Sequence, residues 1–260
     1  MDFTMKVLYF TSTGNSLYVA KRIGGELLSI PQLIRDNNYE ISADTVGIVV
    51  PIYGFDVPRP VRSYLNQVNI HAEYVFAVMT YGDRPMAAVS MMQKLLASRG
   101  VTLNYSNEID MVDNYLPGYE VERQLKMKQD VDIEQAINQV IQDIDSRKNV
   151  LLYKGALAKV ISSGLSAASV SPLGKRTMNG SAKKFSITSD CNSCGVCGKV
   201  CPMGNIVVED QPNYSNNCEF CLACTHLCPQ NAIRLKGEKS TARFRNRHVG
   251  LNEIIAANVQ

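Results

Sequence analysis

Among the 260 residues of this chain, the eight cysteines have the most distinctive spacing. They form two runs, Cys191-x-x-Cys194-x-x-Cys197-x-x-x-Cys201-Pro202 and Cys218-x-x-Cys221-x-x-Cys224-x-x-x-Cys228-Pro229, with none left over. Sulfide-bridged iron is best matched by soft anionic sulfur, which thiolates supply. The x-x spacing lets three thiolates of one short loop converge on one cluster. The fourth, after x-x-x and before proline, serves the other cluster in this ligand pattern. The expected ligand sets are therefore crossed. Cys191, Cys194, Cys197 and Cys228 would hold one [4Fe–4S] cluster, and Cys218, Cys221, Cys224 and Cys201 the other. Structural zinc also uses paired C-x-x-C, but a zinc ribbon needs no third cysteine at x-x spacing followed by Cys-Pro, twice. A disulfide framework belongs to secreted chains. Here Met1 to Lys6 leads straight into a strand-like run, which leaves no room for a cleaved leader.

The stretch from about residue 186 to 236 resembles a bacterial two-cluster ferredoxin, down to the apolar pairs Ile206-Val207 and Ala232-Ile233 after each Cys-Pro. That resemblance implies a small α+β domain at 185–236 whose core packs around the clusters. Asn192-Ser193 stands where the family usually has an apolar residue and then a small one, which predicts a wetter first cluster.

A second candidate site lies near the start. Lys6 to Thr11 (KVLYFT) reads as a buried strand, and Leu17 to Leu28 has helical periodicity. Between them, Thr11-Ser12-Thr13-Gly14-Asn15-Ser16 is a hydroxyl-rich turn. Strand, turn and helix start is where an anion can sit on free backbone N–H groups. A helix cap alone would need one such residue; here five of the six are Ser, Thr or Asn. A Walker loop would need Gly-Lys-Ser/Thr, which is absent.

The six residues resemble the phosphate loop of flavodoxins, which holds the phosphate of FMN. The rest of the first 150 residues agrees. Strands are expected near Gln32–Arg35, Val46–Pro51, Tyr74–Thr80 and Val101–Met111, and helices at Arg59–Val68, Pro85–Arg99 and Tyr119–Lys148. This alternation implies a doubly wound, five-stranded parallel sheet with ligands beyond the carboxyl ends of its strands. Two loops there, Pro51-Ile52-Tyr53-Gly54 and Thr80-Tyr81-Gly82-Asp83, match flavodoxin-type flavin loops in position and character. The resemblance implies that Gly54 presents its carbonyl to flavin N5. With no Trp in the chain, Tyr53 and Tyr81 are the candidates for stacking. Asn114 and Tyr115 are weaker candidates for bordering the flavin.

The expected organisation is therefore a flavodoxin-like FMN-binding domain at 1–150, a helical connector and linker at 151–184, the ferredoxin-like domain at 185–236 and a basic terminal segment at 237–260. The linker is expected at Ser171 to Ser181, and the basic segment is read first as solvated. His226 sits within the second cysteine run, but cysteines already complete both ligand sets. The formal charge of +3 counts the thiols as neutral. Two clusters would bring about −4 and a flavin phosphate about −2, so the apo value is no argument for nucleic acid. No apolar run reaches the length of a membrane span, and thiolates destined for iron fit the cytoplasm.

As a whole the chain resembles flavodoxin–ferredoxin fusion proteins. The resemblance implies FMN, two [4Fe–4S] clusters and electron transfer with a redox protein or a small-molecule donor or acceptor. A homodimer is left open. The alternative is a flavin-dependent reductase of a quinone or nitro compound. No G-x-G-x-x-G dinucleotide motif is present.

Overall fold

The computed structural model describes residues 4–54, 56–85, 88–152 and 181–258. The first part runs β1 (Met5–Tyr9), α1 (Asn15–Ile23), β2 (Glu26–Ser29), α2 (Ile30–Arg35), β3 (Glu40–Ser42), β4 (Thr45–Pro51), α3 (Arg59–Leu65), β5 (Asn69–His71), β6 (Tyr74–Tyr81), α4 (Ala88–Ala97), β7 (Tyr105–Asp110), α5 (Val121–Met127), α6 (Asp130–Asp145) and β8 (Val150–Leu151). The main sheet is parallel throughout, in the order β2-β1-β4-β6-β7-β8. Its first five strands follow the doubly wound order 2-1-3-4-5 of flavodoxin-like folds, whose ligand crevice lies at the switch point between β1 and β4.

Alternation along the strands builds two cores. Leu8, Ile48, Val50 and Met79 face α2, α3 and α4, while Val7, Tyr9, Val49 and Val78 face α1 and α6. Both faces of a parallel sheet are covered in this way, so its strands carry near-continuous apolar runs.

Four expectations need correction. The sheet has six strands, not five. Val150 and Leu151 pair with Tyr105 and Ser106, using edge backbone groups of β7 that would otherwise stay unpaired. The second strand is Glu26–Ser29 rather than Gln32–Arg35. Gly24 and Gly25, at φ 88° and 81°, stop α1 at Ile23, so Leu27 and Leu28 join β1, and Pro31 opens a helix where the strand was expected. The long helix at Tyr119–Lys148 is two helices, broken where Lys128 turns extended and reaches Asp110.

The fourth concerns the terminal segment. It is not a solvated basic tail. Arg234 and Arg243 both pair with Glu238, and Arg247 pairs with Asp130. Val249, Ile254 and Ala257 are buried in the α1 face of the main core. Leu251, Ile254 and Ile255 recur at helical spacing, so the segment has an apolar stripe to bury.

The second part comprises β9 (Phe185–Ile187), α7 (Val196–Lys199), β10 (Ile206–Val208), β11 (Pro212–Tyr214), α8 (Ala223–His226), β12 (Ile233–Leu235) and α9 (Leu251–Asn258). β9 pairs antiparallel with β12, and β10 with β11. Val200, Ala223 and Leu227 join the same core as Val7 and Val19, so the two parts share one apolar interior. Of the expected connector and linker at 151–184, residues 153–180 lie outside the described residues; 151–152 are strand and loop, and Ser181–Lys184 form a 3-10 turn. Among the described residues no helix is long and apolar enough to cross a membrane.

Candidate functional site

The loops after β1, β4 and β6 open into one cavity of about 910 Å³. All the flavin-loop residues expected from the sequence line it except Gly14. Gly14 faces the other way, at φ 104°, and a Cβ there would lie 3.0 Å from Asn246 and 3.1 Å from Val249. Only glycine fits both that backbone and that approach.

Thr11, Ser12, Thr13 and Ser16 are almost wholly buried, between 1% and 4% exposed. Their hydroxyls have protein partners. Ser12 pairs with the Tyr53 hydroxyl at 2.7 Å, Ser16 with Thr80 at 2.8 Å, and Thr13 accepts from the Asn114 amide at 2.7 Å. A buried hydroxyl cluster at the start of α1, facing a cavity, suits an anion that can accept several hydrogen bonds. Gly54 lies in a tight turn closed by reciprocal Tyr53–Asp56 backbone bonds, at φ 56°. Burial pushes the Tyr81 hydroxyl up to about 12 and raises the Asp113 carboxyl above its ordinary value.

The far wall of the cavity comes from the second cysteine run: Glu219, Phe220, Cys221 and Leu222. Arg59, at the start of α3, holds this run in place. Its backbone and side-chain N–H groups donate to the Glu219 carboxylate at 2.9 and 2.7 Å, and Nη2 donates to the Cys218 carbonyl at 2.7 Å. Burial raises the Glu219 carboxyl, and the Arg59 guanidinium opposes that shift.

Both cysteine loops curl by the same device. Ser193 and Gly195 in the first, and Phe220 and Leu222 in the second, have φ of 57°, 77°, 57° and 62°. Left-handed residues at matching positions turn the chain so that three thiols share one side. A side chain there costs about 1–2 kcal/mol, which Gly195 avoids and Leu222 does not. Cys191, Cys194, Cys197 and Cys228 line one small cavity. Burial pushes the Cys197 thiol up to about 11, with Cys228 and Cys194 adding to it. Burial likewise pushes Cys224 up to about 12, with Cys201 and Cys218 adding. The thiols thus gather as two groups, with Cys228 beside the first loop and Cys201 beside the second. Backbone N–H groups of Asn205, Phe220 and Ala232 donate to the sulfurs of Cys201, Cys218 and Cys228 at 3.3–3.4 Å. Among the described residues, no group of three or more His, Cys, Asp or Glu is arranged to hold a metal ion.

Neither a family model nor a curated protein matches this chain. Among solved structures it is similar to an NADH:FMN oxidoreductase in its apo form, at 12% identity and TM-score 0.38, covering 56% of this chain and 90% of that one. It is also similar to an azoreductase from Bacillus anthracis str. Sterne, at 10% and 0.36, covering 55% and 99%. A flavodoxin from the domain Archaea matches at 11% and 0.33, covering 56% and 99%. Strand order carries the fold assignment independently of these scores.

Sequence reasoning missed Arg59 and Glu219, and the hydrogen bonds that link His226 to Asn114 and Asn114 to Thr13. Arg59 follows Pro58 in a plain helix start, and nothing in its neighbours marks it. Glu219 had a signal: an acid between two cysteines of an apolar loop must find a cation when buried.

Proposed function

We propose that this protein is an electron carrier that binds FMN in the 910 Å³ cavity and two [4Fe–4S] clusters in the cysteine loops. It would relay electrons between them and an external redox partner, in a reducing compartment such as the cytoplasm. The observation that carries this reading is the shared wall: Cys221, in a cluster-type loop, lines the cavity formed by the three flavin-type loops.

The residues fit both groups. For FMN, the buried hydroxyls of Thr11, Ser12, Thr13 and Ser16 would hold the phosphate, and Tyr53 and Tyr81 would border the ring. For the clusters, neighbouring thiolates within either group would repel one another. A cationic iron–sulfide core would offset their mutual repulsion. A cubane spreads its ligands over four corners, so it does not require the arrangement that a single ion demands. The grouping of Cys228 with the first loop and Cys201 with the second supports the crossed ligand sets. The paired hairpins and short helices of 185–236 support the ferredoxin-like reading.

When bound, flavin exchanges one or two electrons and a cluster one, which lets a fused protein split or merge electron pairs. The chain's own part is to hold the two sites against each other. Arg59 and Glu219 fix the second cysteine loop on α3, and the common core around Val200 and Val249 prevents the parts from swinging free.

The test is anaerobic purification with iron, sulfide and flavin analysis, followed by rapid-mixing reduction. About eight iron, eight sulfide and one FMN per chain are expected, with internal electron transfer whose rate does not depend on protein concentration. Zinc without sulfide, or flavin reduction that scales with total protein, overturns the reading. One observation favours a reductase as the second reading. Pockets for a single ligand run from about 300 to about 1,000 Å³, so a cavity of about 910 Å³ is at the roomy end of that range, with Tyr115, Tyr119 and Phe220 in its walls. Steady-state turnover of quinone or nitro acceptors distinguishes the two.

A further inference from the structure

His226 lies between Cys224 and Cys228, in α8, and is 4% exposed. The backbone N–H of Phe244 donates to its Nδ1 at 3.0 Å. An amide nitrogen can only donate, so Nδ1 is the bare nitrogen and Nε2 carries the hydrogen. Nε2 then donates to the Asn114 carbonyl at 2.7 Å. The side-chain amide of Asn114 donates to Thr13 Oγ1 at 2.7 Å. The Thr13 carbonyl accepts from the backbone N–H of Asn246 at 2.8 Å, two residues beyond Phe244. The contacts close into a ring that joins the first turn of the chain, the loop after β7, the second cysteine run and the terminal segment.

This ring bears on one atom. Because the Thr13 oxygen accepts from Asn114, its own hydrogen is left to point elsewhere, and Thr13 lines the cavity. A hydroxyl held in this sense presents a donor, which is what an anion needs. The Asn114 amide keeps its place while its backbone is held, and the His226 ring bonds the Asn114 carbonyl directly.

We propose that His226 is a positioning residue for the flavin's terminal phosphate: through Asn114 it fixes Thr13 as a hydrogen donor, so phosphate affinity depends on a side chain of the second cysteine loop. This rests on the FMN reading above. His226 is not itself among the residues lining the cavity.

The experiment uses anaerobically purified full-length protein and measures Kd for FMN and for riboflavin, with iron and sulfide content alongside. If the unaltered protein binds no FMN, the proposed function fails before this inference is reached. With FMN bound by the unaltered protein, His226→Leu should weaken FMN by about tenfold or more, the usual effect of unpairing a buried polar group, and riboflavin far less. His226→Gln, which keeps a donor and an acceptor, should recover most of the loss. Asn114→Ala should give the same FMN-selective loss and add little on top of His226→Leu. Equal losses for FMN and riboflavin, no rescue by glutamine, or additive effects overturn the proposal. Should His226→Leu not fold, Asn114→Ala and His226→Gln decide alone: FMN loss confined to Asn114→Ala supports it, and unchanged FMN affinity in Asn114→Ala sinks it.

Discussion

The two cysteine runs have the same spacing and the same left-handed positions but different surroundings. In the first, Asn192, Ser193 and Cys194 are exposed. In the second, Glu219 is 4% and Leu222 2% exposed, and Phe220 packs edge-on against Tyr115. The difference lies in the residues between the cysteines. Polar Asn192 and Ser193 can face water at no cost, whereas Phe220 and Leu222 gain by covering apolar surface. The motif thus decides what a loop can bind, and its intervening residues decide where the loop sits. The second loop is the inner one, against the cavity, and the first is the outer one.

The largest effect should come from exchanging the fourth cysteines. On the proposed cluster reading, Cys201→Ser should abolish the cluster at the inner loop, and Cys228→Ser that at the outer loop, read by iron content and electron paramagnetic resonance. Each variant losing its own run's cluster would overturn the crossed grouping. Next, Thr13→Glu places a carboxylate where the phosphate would sit. FMN affinity should fall by about a hundredfold or more, while the outer loop keeps its iron. Flavin retained at normal affinity would remove the phosphate from this turn.

Arg59→Ala should be smaller. It leaves Glu219 buried without its cation and should cost about 3–5 kcal/mol in denaturant unfolding. A loss below about 1 kcal/mol would mean that the inner loop is held by apolar packing alone. The smallest effect is expected on the outer loop. Asn192→Ala should change stability by no more than about 0.5 kcal/mol, as for exposed positions generally. A larger change would show that the outer loop is also bound into the fold.

Much of this was legible in the residues, and the losses have definite causes. The β4 and β6 strands were readable because Val46–Pro51 and Tyr74–Thr80 are apolar on both faces. The strand at Glu26–Ser29 was hidden because Leu27 and Leu28 also continue the helical pattern of Leu17 to Ile23; two glycines in succession should have ended that helix. The terminal segment was misread because six basic residues between 234 and 247 outweighed the apolar stripe beyond them. Three of the six, Arg234, Arg243 and Arg247, pair with Glu238 or Asp130.

By itself the sequence determined the chemistry available: eight thiols in two repeating loops, a hydroxyl-rich turn at a strand–helix junction, and two aromatic loops at strand ends. Those depend on residue type and short spacing, which are local. Only the tertiary structure decided that Cys221 lines the cavity, that Arg59 grips Glu219 across 160 positions, and that Asn114 bonds both Thr13 and His226. Each of these joins side chains whose separation along the chain carries no signal. They meet because burying Val200, Ala223, Leu227, Val249 and Ile254 against the α1 face brings the two parts together, and polar groups trapped in that closure must then find partners.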